Sequence, residues 1–407
     1  MNLVVVGTHS SQTTGYAKVM RGLVPALAAR GANVHVYGIQ SCGPSTYATE
    51  NIKEFDAYGL ERRKRLDEGG FLYSGFPKFV DHLRPDAIVL YNDPVVLGAY
   101  LKSLSTATAE GQEKGIPVFL YVDLVNPRVH ESNWAVFTHP RVRGVMVFGP
   151  SWESEVRTIP GFAKPTAVVT HAVDVPILKN ARARAGLTDV GDDIVFLNMN
   201  RNTQRKRLDV YACAAARFMA RNPTAHVRFL ANSHHESAFD LHSIALRELV
   251  ACGVADPMPY LDRIMINRTM LTDERVVELH NACDVAVNCS EGEGFGLCVA
   301  EAAAVGKPVI VSGTVGAKDV FATTTDGTMG HSAYVIPPVA EYFLDGRDGI
   351  GGCAQLIAID DLVKAFETMM RPNARATYGQ RAYDHMRTRP SWMDLAGVML
   401  RFLQSHV

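Results

Sequence analysis

The sequence predicts an α/β protein built from two Rossmann-like domains facing each other across a cleft. Three observations predict it. Short apolar runs alternate with longer helix-periodic stretches, the pattern of a parallel sheet buried under helices. The alternation occurs twice, on either side of a turn-rich segment at residues 172–193. The 407 residues suffice for two or three domains, at roughly 100–200 residues each.

The elements follow in order. Residues 3–6 (LVVV) read as a buried strand and 7–16 as a Ser/Thr/Gly-rich loop. Residues 17–30 read as a helix with Val19, Leu23, Ala26 and Leu27 on one face, ended by Gly31. Strands are expected at 34–37, 87–91, 118–122, 145–148 and 167–170, the second and third each just after a proline-closed segment. A second set starts with a strand at 194–197 and continues with strands at 226–230, 285–288 and 308–311. Helices are expected near 208–222, 239–252, 273–282 and 297–305. Residues 346–352 (GRDGIGG) read as a mobile loop, and the basic run 62–65 as a solvated helix face. At the end of the chain Trp392, Leu395, Val398, Met399 and Phe402 recur at helical spacing.

Composition excludes several classes. Forty-one Lys+Arg balance 42 Asp+Glu, and 47% of the residues are hydrophobic, which argues against disorder and against a nucleic-acid partner. Seven cysteines, odd in number and never in CxxC spacing, argue against a zinc cluster or a disulfide framework and for a reducing interior. The first residues lack a basic n-region, and no apolar run approaches the ~20 residues of a membrane span. A cytoplasmic protein is expected, with peripheral membrane contact left open.

The stretch most informative about chemistry is Ser290-Glu-Gly-Glu-Gly-Phe-Gly-Leu-Cys-Val-Ala-Glu301. It follows a buried strand and opens into an alanine-rich helix, and ligands of open α/β sheets bind at the carboxyl ends of strands. Gly292, Gly294 and Gly296 let the backbone approach a ligand. The helix starting near Gly296–Leu297 points free N–H groups and its positive end at an anion such as a diphosphate. Glu293 precedes that helix and can reach a sugar; Glu301, about one turn inside, can accept from vicinal hydroxyls such as those of ribose. A plain strand-to-helix turn with a capping glutamate is the alternative. Neither GxGxxG nor a Walker motif is present.

The spacing Glu-Gly-Phe-Gly-Leu-x-x-x-Glu, followed by Ala-x-x-x-Gly-Lys-Pro-Val-Ile, resembles the E-x7-E signature of family 4 retaining glycosyltransferases, which have the GT-B fold. The resemblance implies that Glu293 contacts the donor sugar and Glu301 the nucleotide ribose. It implies further that the backbone at Phe295, Gly296 and Leu297 binds the sugar and phosphate region; Glu291 is an extra acid outside the match. Asn198 to Asp209 resembles a second family motif, in which an Arg and a later Lys are cationic partners of the diphosphate. Arg201 and Lys206 take those places, with Arg207 an alternative because the usual Lys-Gly is here Lys-Arg.

Further matches are weaker. Gly15 is the best candidate of the first β/α loop, where relatives often have consecutive glycines. His171-Ala-Val-Asp174 resembles Asn-Gly-Val-Asp but departs at two of four positions, so site and structural roles for His171 both stay open. Where many relatives have a histidine near the reacting sugar, this chain has Asp123, which could orient the acceptor or a donor hydroxyl. His130 and His139 read as loop histidines. Arg268 lies in a loop that often lines the base pocket in relatives.

The resemblance covers residues 194–325 well and the first half only in rhythm and length. It implies an acceptor-side domain of residues 1–171 with a returning helix at 388–407, a linker at 172–193, and a donor domain at 194–387. It also implies a hexosyltransferase that needs no metal and no cofactor, because Arg and Lys can serve the diphosphate; no DxD stands in a suitable context. GDP-mannose is the first donor expected, with UDP- and ADP-hexoses open. The acceptor would be the hydroxyl of a glycan, glycoprotein or glycolipid, and a homodimer is compatible with the sequence. Two other readings stand beside this one: a GT-B nucleotide-sugar epimerase or phosphorylase, and a non-catalytic two-lobed sugar-binding protein.

Overall fold

The computed structural model describes residues 1–107, 115–232, 238–321, 332–345 and 351–407. The chain divides into two compact units. One comprises Met1–Ala172, Phe343–Cys353 and Pro390–Val407; the other comprises Val173–Tyr342 and Ala354–Arg389.

Among the described residues, the first unit holds a seven-stranded parallel sheet. Its strands are β1 (Asn2–Thr8), β2 (Asn33–Ile39), β3 (Ile52–Asp56), β4 (Ala87–Asn92), β5 (Val118–Val122), β6 (Val142–Val147) and β7 (Thr166–Val168), in the order β3-β2-β1-β4-β5-β6-β7. The strands β4 and β5 are buried throughout, which is why they read as unbroken apolar runs. The last helix, Trp392–His406, opens with a Ser391/Asp394 capping box and lies on the helix Gly15–Ala29. Gly22 makes that approach possible, because a Cβ there would sit 2.3 Å from the Trp392 ring.

The second unit repeats the topology with β8 (Ile194–Asn198), β9 (Val227–Asn232), β10 (Ile264–Asn267), β11 (Val285–Asn288), β12 (Val309–Ser312) and β13 (Tyr334–Ile336), all parallel, in the order β10-β9-β8-β11-β12-β13. Its core stacks Phe196 and Phe229 (centroids 5.3 Å apart) under Phe366, 4.8 and 5.1 Å away. Each such pair adds about 0.5–1.5 kcal/mol beyond area burial. The buried Tyr211 hydroxyl donates to the Phe196 carbonyl at 2.8 Å, so the helix Leu208–Arg221 is pinned to β8.

Three findings differ from the sequence reading. The edge strands β3, β10 and β13 escaped it, because β3 carries three charged residues and β10 and β13 are only four and three residues long. Residues 181–190, expected in a linker, include the helix Ala181–Arg184 and bury Ala185, Leu187 and Val190 against Val195, Leu197, Leu230 and Leu279 of the second unit. A ribbon of β14 (Ala340–Leu344) and β15 (Gly352–Leu356) also went unread, and the boundary between the units falls inside both strands. Of the expected loop 346–352, residues 346–350 lie outside the described residues.

Candidate functional site

Parallel sheets of this type bind ligands where the strand order reverses, outside the carboxyl ends of the two strands that flank the reversal. In the second unit those strands are β8 and β11. The segments that leave them are the turn 199–207 and the loop 289–296, the two that the sequence singled out.

The loop is organised by Asn288, the last residue of β11. Its Oδ1 accepts from the Ser290 amide (2.9 Å) and lies 2.6 Å from Ser290 Oγ, while its Nδ2 donates to Glu293 Oε2 at 3.1 Å. Gly296 then takes φ +85°, a conformation that favours glycine, and leads into the helix Leu297–Ala304, whose start no side chain caps. A second glycine is needed nearby. A Cβ on Gly316 would stand 2.1 Å from the Glu293 carbonyl oxygen and 2.3 Å from that of Gly294, so only glycine lets the helix Val315–Phe321 press against this loop. Phe295 turns inward, 4% exposed, with the Arg389 guanidinium 5.1 Å from its ring centroid.

Glu293 is 9% exposed and lies 2.5 Å from Lys206 Nζ and 3.9 Å from Arg205 Nη1. Burial alone would raise its carboxyl pKa. The Lys206 ammonium and Arg205 guanidinium, with the Lys206 and Asn288 hydrogen bonds, outweigh that and hold it at about 2. The same burial keeps Lys206 below the usual lysine value although Glu293 opposes the shift. Two opposite charges thus sit largely out of solvent beside an uncapped helix start, where anions and hydroxyl groups find partners.

Glu301 lies one turn inside the helix and is 7% exposed. Its Oε2 is 3.1 Å from Nε2 of His280, a fully buried residue of the helix Asp273–Ala282 whose Nδ1 has no hydrogen-bond partner among the described residues. A proton on Nε2 makes the imidazole the donor and fixes the carboxylate. Nothing in the local sequence signals His280, which joins the site only through packing of two helices.

In the turn the cations separate. Arg201 is exposed. Lys206 reaches Glu293, and so does Arg205, which the sequence reading passed over and whose Nη1 also donates to the Gly292 carbonyl at 2.5 Å. Arg207, the alternative diphosphate cation, turns instead to Asp209 (3.0 and 2.8 Å) and Glu291 (3.3 Å). Arg268 is exposed just beyond β10.

Two expected residues belong to the first unit. Asp123 follows β5, donates its amide to the Asn92 carbonyl at 3.0 Å, and hydrogen-bonds through its side chain to Tyr16. Burial first, then Asp123 and Asp93, push the Tyr16 phenol well up. Gly15 is the exposed first residue of a helix capped by Thr14, whose Oγ1 accepts from the Ala17 amide. His171 is 3% exposed and packs among Phe148, Tyr121, Trp392 and Tyr91, with ring centroids 4.1–6.4 Å away, as part of an aromatic core. Among the described residues no group of three His, Cys, Asp or Glu side chains could hold a metal ion, and no helix is long and apolar enough to cross a membrane.

Comparison with solved structures matches the whole architecture. Sucrose-phosphate synthase from Thermosynechococcus elongatus superposes with a TM-score of 0.71 at 16% identity, over 100% of this chain and 98% of that one. Anabaena HepE in complex with UDP-glucose gives 0.68 at 14%, over 100% of both chains. The fold is GT-B. Residues 264–339 match the family model described as Glycosyl transferases group 1. Among curated proteins, D-inositol 3-phosphate glycosyltransferase of Geodermatophilus obscurus is 28% identical over 54% of this chain. D-inositol 3-phosphate glycosyltransferase 2 of Catenulispora acidiphila is 28% identical over 40%. The chain spans 49% and 39% of the length of those two relatives.

Proposed function

We propose that the protein is a retaining glycosyltransferase that moves a hexose from a nucleotide-diphosphate sugar to a hydroxyl acceptor. The observation that carries the reading is the buried Lys206–Glu293 pair at the uncapped start of the helix Leu297–Ala304, with Glu301 one turn on. In this reading the diphosphate lies against Lys206, Arg205 and the first amides of the helix, where its charge grows as it leaves. Arg205 takes the place expected of the more exposed Arg201. Glu301, held by His280, accepts from the ribose hydroxyls, Arg268 flanks the base, and Glu293 orients the sugar. Bond breaking gives the anomeric carbon oxocarbenium character, and the acceptor enters on the face the diphosphate leaves. The leaving phosphate takes the acceptor proton, so no protein nucleophile is invoked. The second unit is the donor side and the first the acceptor side, where Asp123 with Tyr16 would hold an acceptor hydroxyl.

For the donor, a UDP-linked hexose replaces GDP-mannose as the first choice, since HepE is described with UDP-glucose. For the acceptor, the relatives' names point to phosphorylated cyclitols and sugars, which precede glycans in the order of testing.

The test is incubation with labelled UDP-glucose, GDP-mannose and ADP-glucose, each with D-inositol 3-phosphate, glucose 6-phosphate or a glycan, and without acceptor. Transfer with an α-linked product supports the reading. Conversion of the sugar nucleotide alone, without acceptor, marks an epimerase; binding without turnover across the panel marks a sugar-binding protein. Either result overturns it.

A further inference from the structure

Arg207 adopts φ +50° and ψ +46°, left-handed backbone that an arginine side chain disfavours. Its guanidinium forks onto both oxygens of Asp209 and reaches Glu291 Oε2 at 3.3 Å. Glu291 is 4% exposed and accepts at the same oxygen from the Tyr342 hydroxyl at 2.8 Å. Its backbone is tied on both sides, its amide donating to the Arg205 carbonyl (3.0 Å) and its carbonyl accepting from the Gln355 amide (2.7 Å). Cys289 Sγ lies 3.1 Å from the Arg207 carbonyl oxygen. The turn that carries Lys206 and the loop that carries Glu293 are therefore joined through Glu291 and Arg207, and the ribbon strands β14 and β15 are joined to the same residue.

We infer that Arg207, Glu291 and Tyr342 form a positioning clamp: the ion pair holds an arginine in left-handed backbone so that Lys206, the preceding residue, faces Glu293. A glycine would adopt this backbone without help, but it would lose the side-chain ties to Asp209 and Glu291. An arginine held by two carboxylates fixes the turn to the loop. The clamp also removes Arg207 from the diphosphate, so the positive charge offered to a ligand comes from Lys206 and Arg205. The ligand side of this inference rests on the proposed glycosyltransferase reading; the geometry of Lys206 does not.

The test uses the full chain labelled with 15N-lysine. The Nζ resonance of Lys206, assigned by its loss in Lys206→Met, reports whether the ammonium is held in its buried pair, and calorimetry with UDP reports the ligand site. Arg207→Met removes the clamp and keeps a side chain that disfavours left-handed backbone, whereas Arg207→Gly frees that backbone and is expected to retain most of the Nζ signal; Glu291→Gln removes its charge at nearly constant shape. Arg207→Met and Glu291→Gln are each expected to abolish the slowly exchanging Nζ signal and to weaken UDP binding by about fivefold or more, with their double variant no worse than either single one. Tyr342→Phe is expected to show the same signature at smaller size. An Arg207→Met protein that keeps both the Nζ signal and the parental UDP affinity overturns the clamp. A parent whose Nζ signal responds to these variants but which binds none of UDP, GDP and ADP leaves the clamp standing and overturns the functional reading.

Discussion

Replacing Lys206 by methionine keeps the length of the side chain and removes its charge, leaving Glu293 buried with Arg205, 3.9 Å away, as its remaining cation. The carboxyl is held at about 2 against an ordinary value of 4.5. At about 1.4 kcal/mol for each pH unit this corresponds to about 3 kcal/mol net, the gain from all its partners less the cost of burial. Lys206 is the nearest of them and carries the larger share, while its own burial subtracts from the gain. A cost of about 2–3 kcal/mol at pH 7 follows, in line with the loss of one member of a buried pair. Because the Glu293 pKa is depressed in the folded protein, its contribution is complete above pH 4.5 and fades as pH falls towards 2. The gap between parent and variant should therefore narrow on acidification. The double variant Lys206→Met/Glu293→Gln, with no stranded charge, should recover at least half of the loss. The assay must see the right unit. The three tryptophans (Trp134, Trp152 and Trp392) all lie in the first unit, so their fluorescence follows that unit alone, and guanidinium unfolding followed by circular dichroism is needed to register the second. A single variant within about 0.5 kcal/mol of the parent, or single costs that simply add in the double variant, would refute the reasoning.

Further perturbations have defined outcomes. Glu301→Ala removes a charge-assisted acceptor and should weaken UDP binding by about 1.5–3 kcal/mol in calorimetry, while the Lys206 Nζ signal persists. Gly316→Ala drives a methyl into two backbone oxygens 2.1 and 2.3 Å away; it should cost about 1–3 kcal/mol in the circular-dichroism transition and abolish UDP binding by displacing the loop. Gly22→Ala pushes on the Trp392 ring, so it should destabilise the first unit by a similar amount, seen in tryptophan fluorescence, and leave UDP binding unchanged.

What could be read from the chain beforehand follows from burial. The strands β1, β4, β5, β8, β11 and β12 lie inside their sheets and are mostly apolar, and all six stand out in the sequence. The edge strands β3, β10 and β13 are charged or very short and blend with loops. In the site, Glu293, Glu301 and the glycine before the helix are legible because their spacing around a strand-to-helix turn is local information. Which of Arg205, Lys206 and Arg207 turns inward is not, because the left-handed backbone at Arg207 decides it and a run of three cations gives no sign of that. His280 and Gly316 lie outside the motif in sequence and come to it only through helix packing, so no window around the motif contains them.

The most direct measurement is a crystal structure of the full chain with UDP. The account predicts the diphosphate against Lys206 and the amides that open the helix Leu297–Ala304, with the ribose hydroxyls on Glu301 and the Lys206–Glu293 contact loosened. A nucleotide bound elsewhere, or that hollow still closed by the Lys206–Glu293 pair at saturating UDP, would contradict it.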